Sequence, residues 1–77
     1  MGRSDMKIIG TILPQPKQNG AWAFSLRPTD GGPNISCMTE ELYSGQTPRT
    51  GDHVAVDGDW FGGNRQLFMV QAIFPLT

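Results

Sequence analysis

The sequence predicts an all-β chain of 77 residues that closes into a small five-stranded barrel. Two observations lead to this fold class. Five short segments alternate apolar and polar residues at the two-residue period of a half-buried strand, and no segment keeps a helical period over three turns. Ten glycines and six prolines are spread between these segments as turn signals. Closing the sheet would also remove the exposed edges that such apolar strands otherwise present.

The first predicted strand is MKIIGTIL, from Met6 to Leu13. Ile8, Gly10 and Ile12 share one face, and the prolines that follow end the strand. The next segment, QPKQNG, is predicted to be a turn, because an Asn-Gly pair tolerates the positive φ angles of a tight hairpin.

The second predicted strand is AWAFSLRP, from Ala21 to Pro28. Trp22, Phe24 and Leu26 fall on one face at period two, which predicts that they are core residues. The polar and small residues fall on the other face, so the pattern suits an antiparallel sheet with one solvated side. The segment TDGGP then predicts another turn.

The third predicted strand, NISCMT, is short. Ile35 and Cys37 share one face, and Ser36 and Met38 share the other. The connection that follows contains at most a short helical turn over 40–43, ended by a Ser-Gly pair.

The fourth predicted strand lies in GDHVAVDGDW, where Val54, Val56 and Gly58 face one way and Trp60 keeps their phase. FGGNR predicts a hairpin turn. The fifth strand, QLFMVQAIFPL, is the most apolar. Ile73 rejoins the face of its other core residues only if a bulge lies near Gln71, and bulges of this kind help a sheet to curl into a barrel.

Bulk properties bound the possible functions. The length predicts one domain over residues 1–77, with a disordered start at 1–5. The formal net charge of -1 argues mildly against tight, non-specific DNA binding, which usually needs a basic protein. Cys37 is the only cysteine, so no internal disulfide forms and a cytoplasmic location is expected. No apolar run approaches the length of a membrane span, so no membrane partner is expected.

Five segments in this order resemble the OB-fold, in particular its tRNA-anticodon-binding type. The most distinctive piece is Gly51-Asp52 followed by alternating valines and Gly58. The other matching residues are Gly10, Ile12, Leu26, Arg27, Ile35, Phe68, Val70 and Ile73, so the likeness runs from about Ile8 to Leu76. The resemblance implies a five-stranded Greek-key barrel whose ligand is single-stranded nucleic acid, oligosaccharide or protein.

The sequence departs from the family pattern at two points. Members that bind anticodon bases often carry an aromatic residue on the outer face of the second strand, and this chain has Ala23 there. The connection after the third strand is also short, so the helix that usually plugs one end of the barrel is expected to shrink to a turn.

Candidate binding residues lie on the solvated face and in the loop between the last two strands. Arg27 falls opposite the core residues of its strand, where it could meet a phosphate or simply be a solvated charge. Trp60 and Phe61 are neighbours and point to opposite faces of an extended segment, so Trp60 is predicted to close the barrel and Phe61 to be exposed. Beside Phe61, Arg65 would complete a stacking-plus-charge pair, although both aromatics could instead pack under the loop.

Three further residues complete the predicted nucleic-acid contacts. Met69 is predicted on the outer face as an adaptable contact, and Lys7 and Lys17 as phosphate contacts. Tyr43 is expected to cap the barrel rather than to line a cleft.

Neither a metal site nor a catalytic set is expected. His53 is the only histidine, Cys37 is predicted to be buried and inert, and the Asp57 and Asp59 carboxylates are best explained as a solvated strand edge. No cofactor motif is present. Two functions stay open: a module that binds single-stranded DNA or RNA, and a protein-interaction module that acts as a subunit or homodimer.

Overall fold

A computed structural model describes residues 6–62 and 66–76 of the chain. The predicted disordered start at 1–5 therefore lies outside the described residues. The described parts contain no helix and form six strands. These are β1 (Met6–Ile12), β2 (Lys17–Asn19), β3 (Ala21–Pro28), β4 (Ile35–Thr39), β5 (His53–Trp60) and β6 (Phe68–Pro75).

The sheet closes on itself. Its strand order is β1-β5-β6-β4-β3-β2, and an additional pairing of β1 with β3 completes the ring. Every pairing is antiparallel except that of β4 with β6, which is parallel. The result is a mixed five-stranded barrel with one extra short strand, and it confirms the predicted OB-like, all-β class.

The extra strand, β2, occupies part of the segment that the sequence pattern predicts to be a turn. Lys17 pairs with Ala23, and Asn19 pairs with Ala21. Only Gly20, with a φ of 78°, separates the two strands. The predicted reversal at Asn19-Gly20 is therefore present, but it is tight enough for the polar residues before it to pair with β3. Polar side chains that are exposed on both faces carry no alternation, so the pattern does not reveal this strand.

The barrel interior is filled by the predicted inward faces. Leu26, Val56, Phe68 and Val70 have no exposed surface. The remaining members of the core cluster are Ile12, Phe24, Cys37, Val54 and Ile73. The burial of Cys37 is thus as predicted. The prediction that Trp22 is a core residue is wrong: Trp22, the second residue of β3, is only half-buried and does not belong to the core cluster.

A β-bulge in β6 curls the sheet, as the sequence predicts. Asp57 pairs with Ala72, whereas Gly58 pairs with Val70, so Gln71 is the extra residue. The bulge returns Ile73 to the inner face. At the same place the backbones of β5 and β6 approach closely, and a Cβ atom on Gly58 would overlap the carbonyl oxygen of Met69.

The connection 40–52 closes one end of the barrel without a helix. The backbone N–H of Tyr43 donates to the carbonyl of Glu40 at 3.0 Å, which makes one turn. The Tyr43 ring packs against the core cluster, and Pro48 is buried. Burial raises the pKa of the Tyr43 hydroxyl. The expected capping role of Tyr43 is therefore confirmed.

Candidate nucleic-acid interface

One row of outward-facing side chains crosses most of the sheet. The strand register places Lys17 beside Ala23, Ala23 beside Met38, Met38 beside Met69, and Met69 beside Asp59. Outer-face partners in neighbouring strands lie about 5 Å apart, so the row is continuous. Its centre is two half-buried methionines, and its ends carry opposite charges.

A shallow groove of about 250 Å³ follows this row over β3 and β4. Residues of the β1–β2 connection form one side, and Leu67 of the β5–β6 connection lies at the other. The floor between them belongs to β3 and β4. The residues that line the groove include Pro14, Gln15, Lys17, Ala23, Ser25, Ser36, Met38 and Leu67. Its described lining mixes apolar side chains, such as Met38 and Leu67, with the polar pair Ser25 and Ser36 of β3 and β4.

Gln15 holds an unusual backbone conformation at the side of the groove. Its φ is 68°, which among the described non-glycine residues is the only positive value. It lies between Pro14 and Pro16, whose rings fix the backbone before and after it. A left-handed conformation costs a non-glycine residue about 1–2 kcal/mol. Strain of this kind clusters at binding sites, where it orients a loop in advance.

Phe61 is exposed at the start of the β5–β6 connection. It is 60% exposed, and its backbone N–H donates to the carbonyl of Leu67 at 2.7 Å. This bond fixes the base of the loop beside the groove residue Leu67. The neighbouring Trp60 turns inward and packs edge-on against Phe68, with ring centroids 5.2 Å apart. The predicted opposite orientations of Trp60 and Phe61 are therefore confirmed.

The structure brings only some of the predicted binding residues together. Lys17 and Met69 belong to the row, and Phe61 lies at the base of the adjoining loop. Arg27 is exposed on the outer face of β3, beside Thr11. Arg65 lies outside the described residues.

Lys7 lies apart from the groove. Lys7 lies on β1, where its register partner is Asp57 of β5. It lines a different pocket, together with Pro28 and Asp30. Lys7 and the groove would therefore need separate ligands, or one ligand long enough to pass round the barrel.

The row carries Lys17 at one end and Asp59 at the other. Neither Lys17 nor Arg27 forms an ion pair with another residue in the described ranges. Both ammonium and guanidinium groups are thus available to an anion. The side chain of Glu41 lies over Gly20, at the turn between β2 and β3.

A larger cleft, of about 680 Å³, opens between the start of β1, the β3–β4 connection and Trp60. Ile8, Pro33 and Ile35 contribute apolar surface to it. Asp30 is the only charged residue among its described lining. Because the described lining of this cleft includes an acidic group and no basic one, the smaller groove with Lys17 is the better match to a polyanion among residues 6–62 and 66–76.

Residues 6–62 and 66–76 give little support to a metal site or a nucleophilic cysteine. No group of three or more histidine, cysteine or acidic side chains in these ranges could hold a metal ion. Burial raises the pKa of the Cys37 thiol to about 12, so the thiolate that a nucleophile needs is not formed near neutral pH. The described residues also include no helix that is long and apolar enough to cross a membrane.

Comparison of the chain with models of known protein families and with curated proteins finds no match to either. The barrel itself therefore defines what is established: a small OB-like fold with an open groove on its outer face.

Of the residues that line the groove, the sequence predicts only Lys17 as a contact. Met38 is recognised as outward-facing, but its neighbour across the parallel β4–β6 pairing is not visible in the sequence. Ser36 and Gln15 carry no pattern that distinguishes them from other polar residues. The Pro-Gln-Pro spacing is the one available signal, since two prolines around one residue predict a stiff, irregular loop.

Proposed function

We propose that this protein is a small OB-fold module that binds single-stranded nucleic acid in the groove over β3 and β4. The observation that supports this most is the continuous outer row from Lys17 through Met38 to Met69, together with the exposed Phe61 at the start of the β5–β6 connection. Lys17 at one end of the row is suited to a phosphate. Met38 and Met69 at its centre offer apolar surface to the bases of a single strand.

The methionines take the place of the missing aromatic platform. Ala23 leaves the outer face of β3 without a ring, but Met38 and Met69 lie side by side on the next two strands in the sheet order. A polarisable thioether packs well on an aromatic ring, at roughly 0.3–1.5 kcal/mol per contact. We propose that bases lie on these methionines and that Phe61 stacks on a further base.

The resemblance to the tRNA-anticodon-binding type belongs to this proposal. It rests on Gly51-Asp52 and the valine alternation of β5, which are scaffold residues rather than contacts. The likeness supports a single-stranded ligand and does not distinguish DNA from RNA.

The affinity is expected to be modest. The row begins at one lysine and ends at Asp59, and the chain carries a net charge of -1. Each phosphate that a cation neutralises on a single strand contributes about 0.7 to the slope of log K against log salt. We therefore expect binding of an unstructured 12-nucleotide strand in the micromolar range at low salt, with a shallow slope.

Fluorescence anisotropy with labelled DNA and RNA strands tests the proposal. Lys17→Gln should weaken binding. It should also lower the slope of log K against log salt by about 0.7, the contribution of one phosphate contact. Arg49→Gln is the matched control, because it removes an exposed cation from the connection 40–52 and should change neither value.

Phe61→Ala should weaken binding by about 5- to 160-fold, which corresponds to one stacked base at about 1–3 kcal/mol. Leu42→Ala is its control, because Leu42 is an exposed apolar residue that does not line the groove. Absence of binding by the parent chain at 50 mM salt, up to hundreds of micromolar protein, would refute the proposed function.

A further inference from the structure

The cleft of about 680 Å³ lies at the end of the barrel opposite the one that Tyr43 caps. Tyr43 belongs to the connection between the end of β4 and the start of β5, whereas the cleft is lined by the start of β1, the end of β3 and the end of β5. Ligand pockets in proteins usually measure about 300–1,000 Å³. The cleft is therefore of a size that holds a small organic molecule.

Trp60 gives this cleft an aromatic wall. The side chain is half-buried, and its Nε1 atom is shielded from solvent and donates no hydrogen bond to a described residue. Any part of the indole that a ligand can reach is therefore carbon. Ile8 at the start of β1 and Ile35 at the start of β4 add branched aliphatic surface, and both are half-buried. A ligand that displaces water from these side chains needs an apolar body.

The β3–β4 connection forms a fixed wall on another side of the cleft. The N–H of Thr29 donates to the carbonyl of Ile9 at 2.9 Å, which ties this connection to β1. The N–H of Gly31 donates to the carbonyl of Pro28 at 3.2 Å, which closes a turn. Pro33, whose ring fixes its own φ, follows in the lining. Because these constraints hold the wall in place before binding, a ligand does not have to order it.

Asp30 places one negative charge on this wall. Its Oδ1 atom accepts the N–H of Gly32 at 2.9 Å, which orients the carboxylate. The side chain is exposed and forms no ion pair within the described ranges. Lys7 shares a neighbouring pocket with Asp30 but does not pair with it, so it does not neutralise the carboxylate. The cleft thus combines apolar walls with a single unpaired carboxylate.

We propose that this cleft binds a small organic cation, a molecule with an aromatic or branched apolar body and one ammonium group. The body packs on Trp60, Ile8 and Ile35, and the ammonium group donates a charge-assisted hydrogen bond to Asp30. An anionic ligand is disfavoured because the carboxylate repels it. This site and the groove over β3 and β4 therefore take ligands of opposite charge, and binding at one does not require binding at the other.

The affinity is expected to be low for a small probe. An ion pair with an exposed carboxylate contributes little in water, so the charge should provide a preference of about 2- to 5-fold over a neutral molecule of the same shape. The apolar body supplies most of the rest. For a probe of about nine heavy atoms, we expect a Kd in the millimolar range.

A titration of the ¹⁵N-labelled full chain with three probes of similar size tests the ligand class. Phenethylamine is a cation near neutral pH, 2-phenylethanol is neutral and phenylacetate is an anion. Phenethylamine should shift the amides of Ile8, Asp30 and Ile35 and bind about 2- to 5-fold more tightly than 2-phenylethanol, with phenylacetate weakest. Equal affinities, a preference for phenylacetate, or no shifts with phenethylamine at about 20 mM would overturn the proposal.

Asp30→Asn isolates the charge from the shape of the wall. The amide oxygen of asparagine can still accept the Gly32 N–H, so the turn is kept while the carboxylate is removed. Phenethylamine should then bind no more tightly than 2-phenylethanol. Glu40→Gln is the matched control, because it removes an exposed carboxylate from the connection 40–52 and should keep the preference. A preference for the amine that survives Asp30→Asn would contradict the assigned role of Asp30.

A pair of neighbouring variants on β1 tests where the apolar body lies. Ile8→Ala should weaken the binding of all three probes by about 4-fold or more, the value of one buried methylene group. Ile9→Ala is its control, because Ile9 faces the other side of the strand and does not line the cleft. The amide spectrum of each variant reports that the barrel is intact. An equal loss in both variants, or a loss in Ile9→Ala alone, would place the probes elsewhere and overturn the assignment.

Discussion

Position 58 requires glycine because the packing of β5 against β6 leaves no room for a Cβ atom. The backbone of β6 passes so near that a Cβ atom would overlap the Met69 carbonyl. Gly51, which precedes β5, has a different requirement: its φ is 87°, and nothing lies within 4 Å of the place where a Cβ would stand. One glycine is needed for space and the other for backbone conformation. The sequence marks both positions but does not distinguish these reasons.

These two glycines make a matched pair of variants. Gly58→Ala should destabilise the fold by at least about 2 kcal/mol, because the added carbon must push two paired strands apart. Gly51→Ala should cost only about 1 kcal/mol, which is the price of a positive φ for a residue with a side chain. Urea unfolding followed by tryptophan fluorescence measures both. Equal losses would show that the close approach of β5 and β6 is absent.

Among the strands, alternation predicts most of the buried faces. The inward faces of β3, β4 and β5 and the bulge at Gln71 follow from where the apolar residues fall. The pairing of strands does not follow, because every half-buried strand offers the same ladder of donors and acceptors. The position of Met38 beside Met69 depends on that pairing, so the central part of the candidate groove is a property of the structure and not of any one segment.

At the end of β4 a buried hydroxyl connects two strands. Thr39 is 1% exposed, and its Oγ1 accepts the backbone N–H of Trp22 at 2.9 Å. The hydroxyl satisfies an N–H at the start of β3, next to the sharp turn at Gly20. The alternation of β4 correctly makes position 39 inward-facing, but it does not predict that an inward residue is polar.

Thr39→Val keeps the shape of the side chain and removes the acceptor. We expect a loss of about 1–3 kcal/mol in unfolding free energy, because the Trp22 N–H is then left without a partner. Ser36→Ala, on the outer face of the same strand, should stay within about 0.5 kcal/mol of the parent. Chemical denaturation of both variants gives the comparison. A neutral Thr39→Val would indicate that water replaces the hydroxyl.

For the molecule as a whole, burial of Cys37 and Tyr43 makes the free energy of unfolding decrease at alkaline pH. The Cys37 pKa rises from 9.0 to about 12 on folding, because burial disfavours the thiolate. The unfolded chain therefore loses this proton first. The stabilisation is complete below pH 9 and declines between pH 9 and 12, by at most about 1.4 kcal/mol per pH unit. The raised pKa of Tyr43 acts in the same direction.

Urea midpoints at pH 8 and pH 10.5 measure this decline. The parent chain should lose stability over the interval, and Cys37→Ala should lose less of it, even though the variant starts lower because of its smaller core residue. An equal decline in both proteins would assign the alkaline sensitivity to other groups.

At the same scale, closure of the barrel gives its surface two faces of different composition. The groove over β3 and β4 combines Lys17 with methionines, and the face of β1, β5 and β6 carries the exposed side chains of Ile9 and Phe74. The sequence predicts the individual residues Lys17, Phe61 and Met69 as contacts. It does not predict that Lys7 belongs to the second face, since only the order of strands around the barrel separates them.

A titration of the ¹⁵N-labelled full chain with an unstructured 12-nucleotide strand at low salt tests the central proposal most directly. We predict amide shifts concentrated at Ser25, Ser36, Met38, Met69 and Phe61, with Ile9, Ala55 and Phe74 on the face of β1, β5 and β6 unmoved. A spectrum unchanged at millimolar oligonucleotide, or shifts confined to that face, would contradict a nucleic-acid site over β3 and β4.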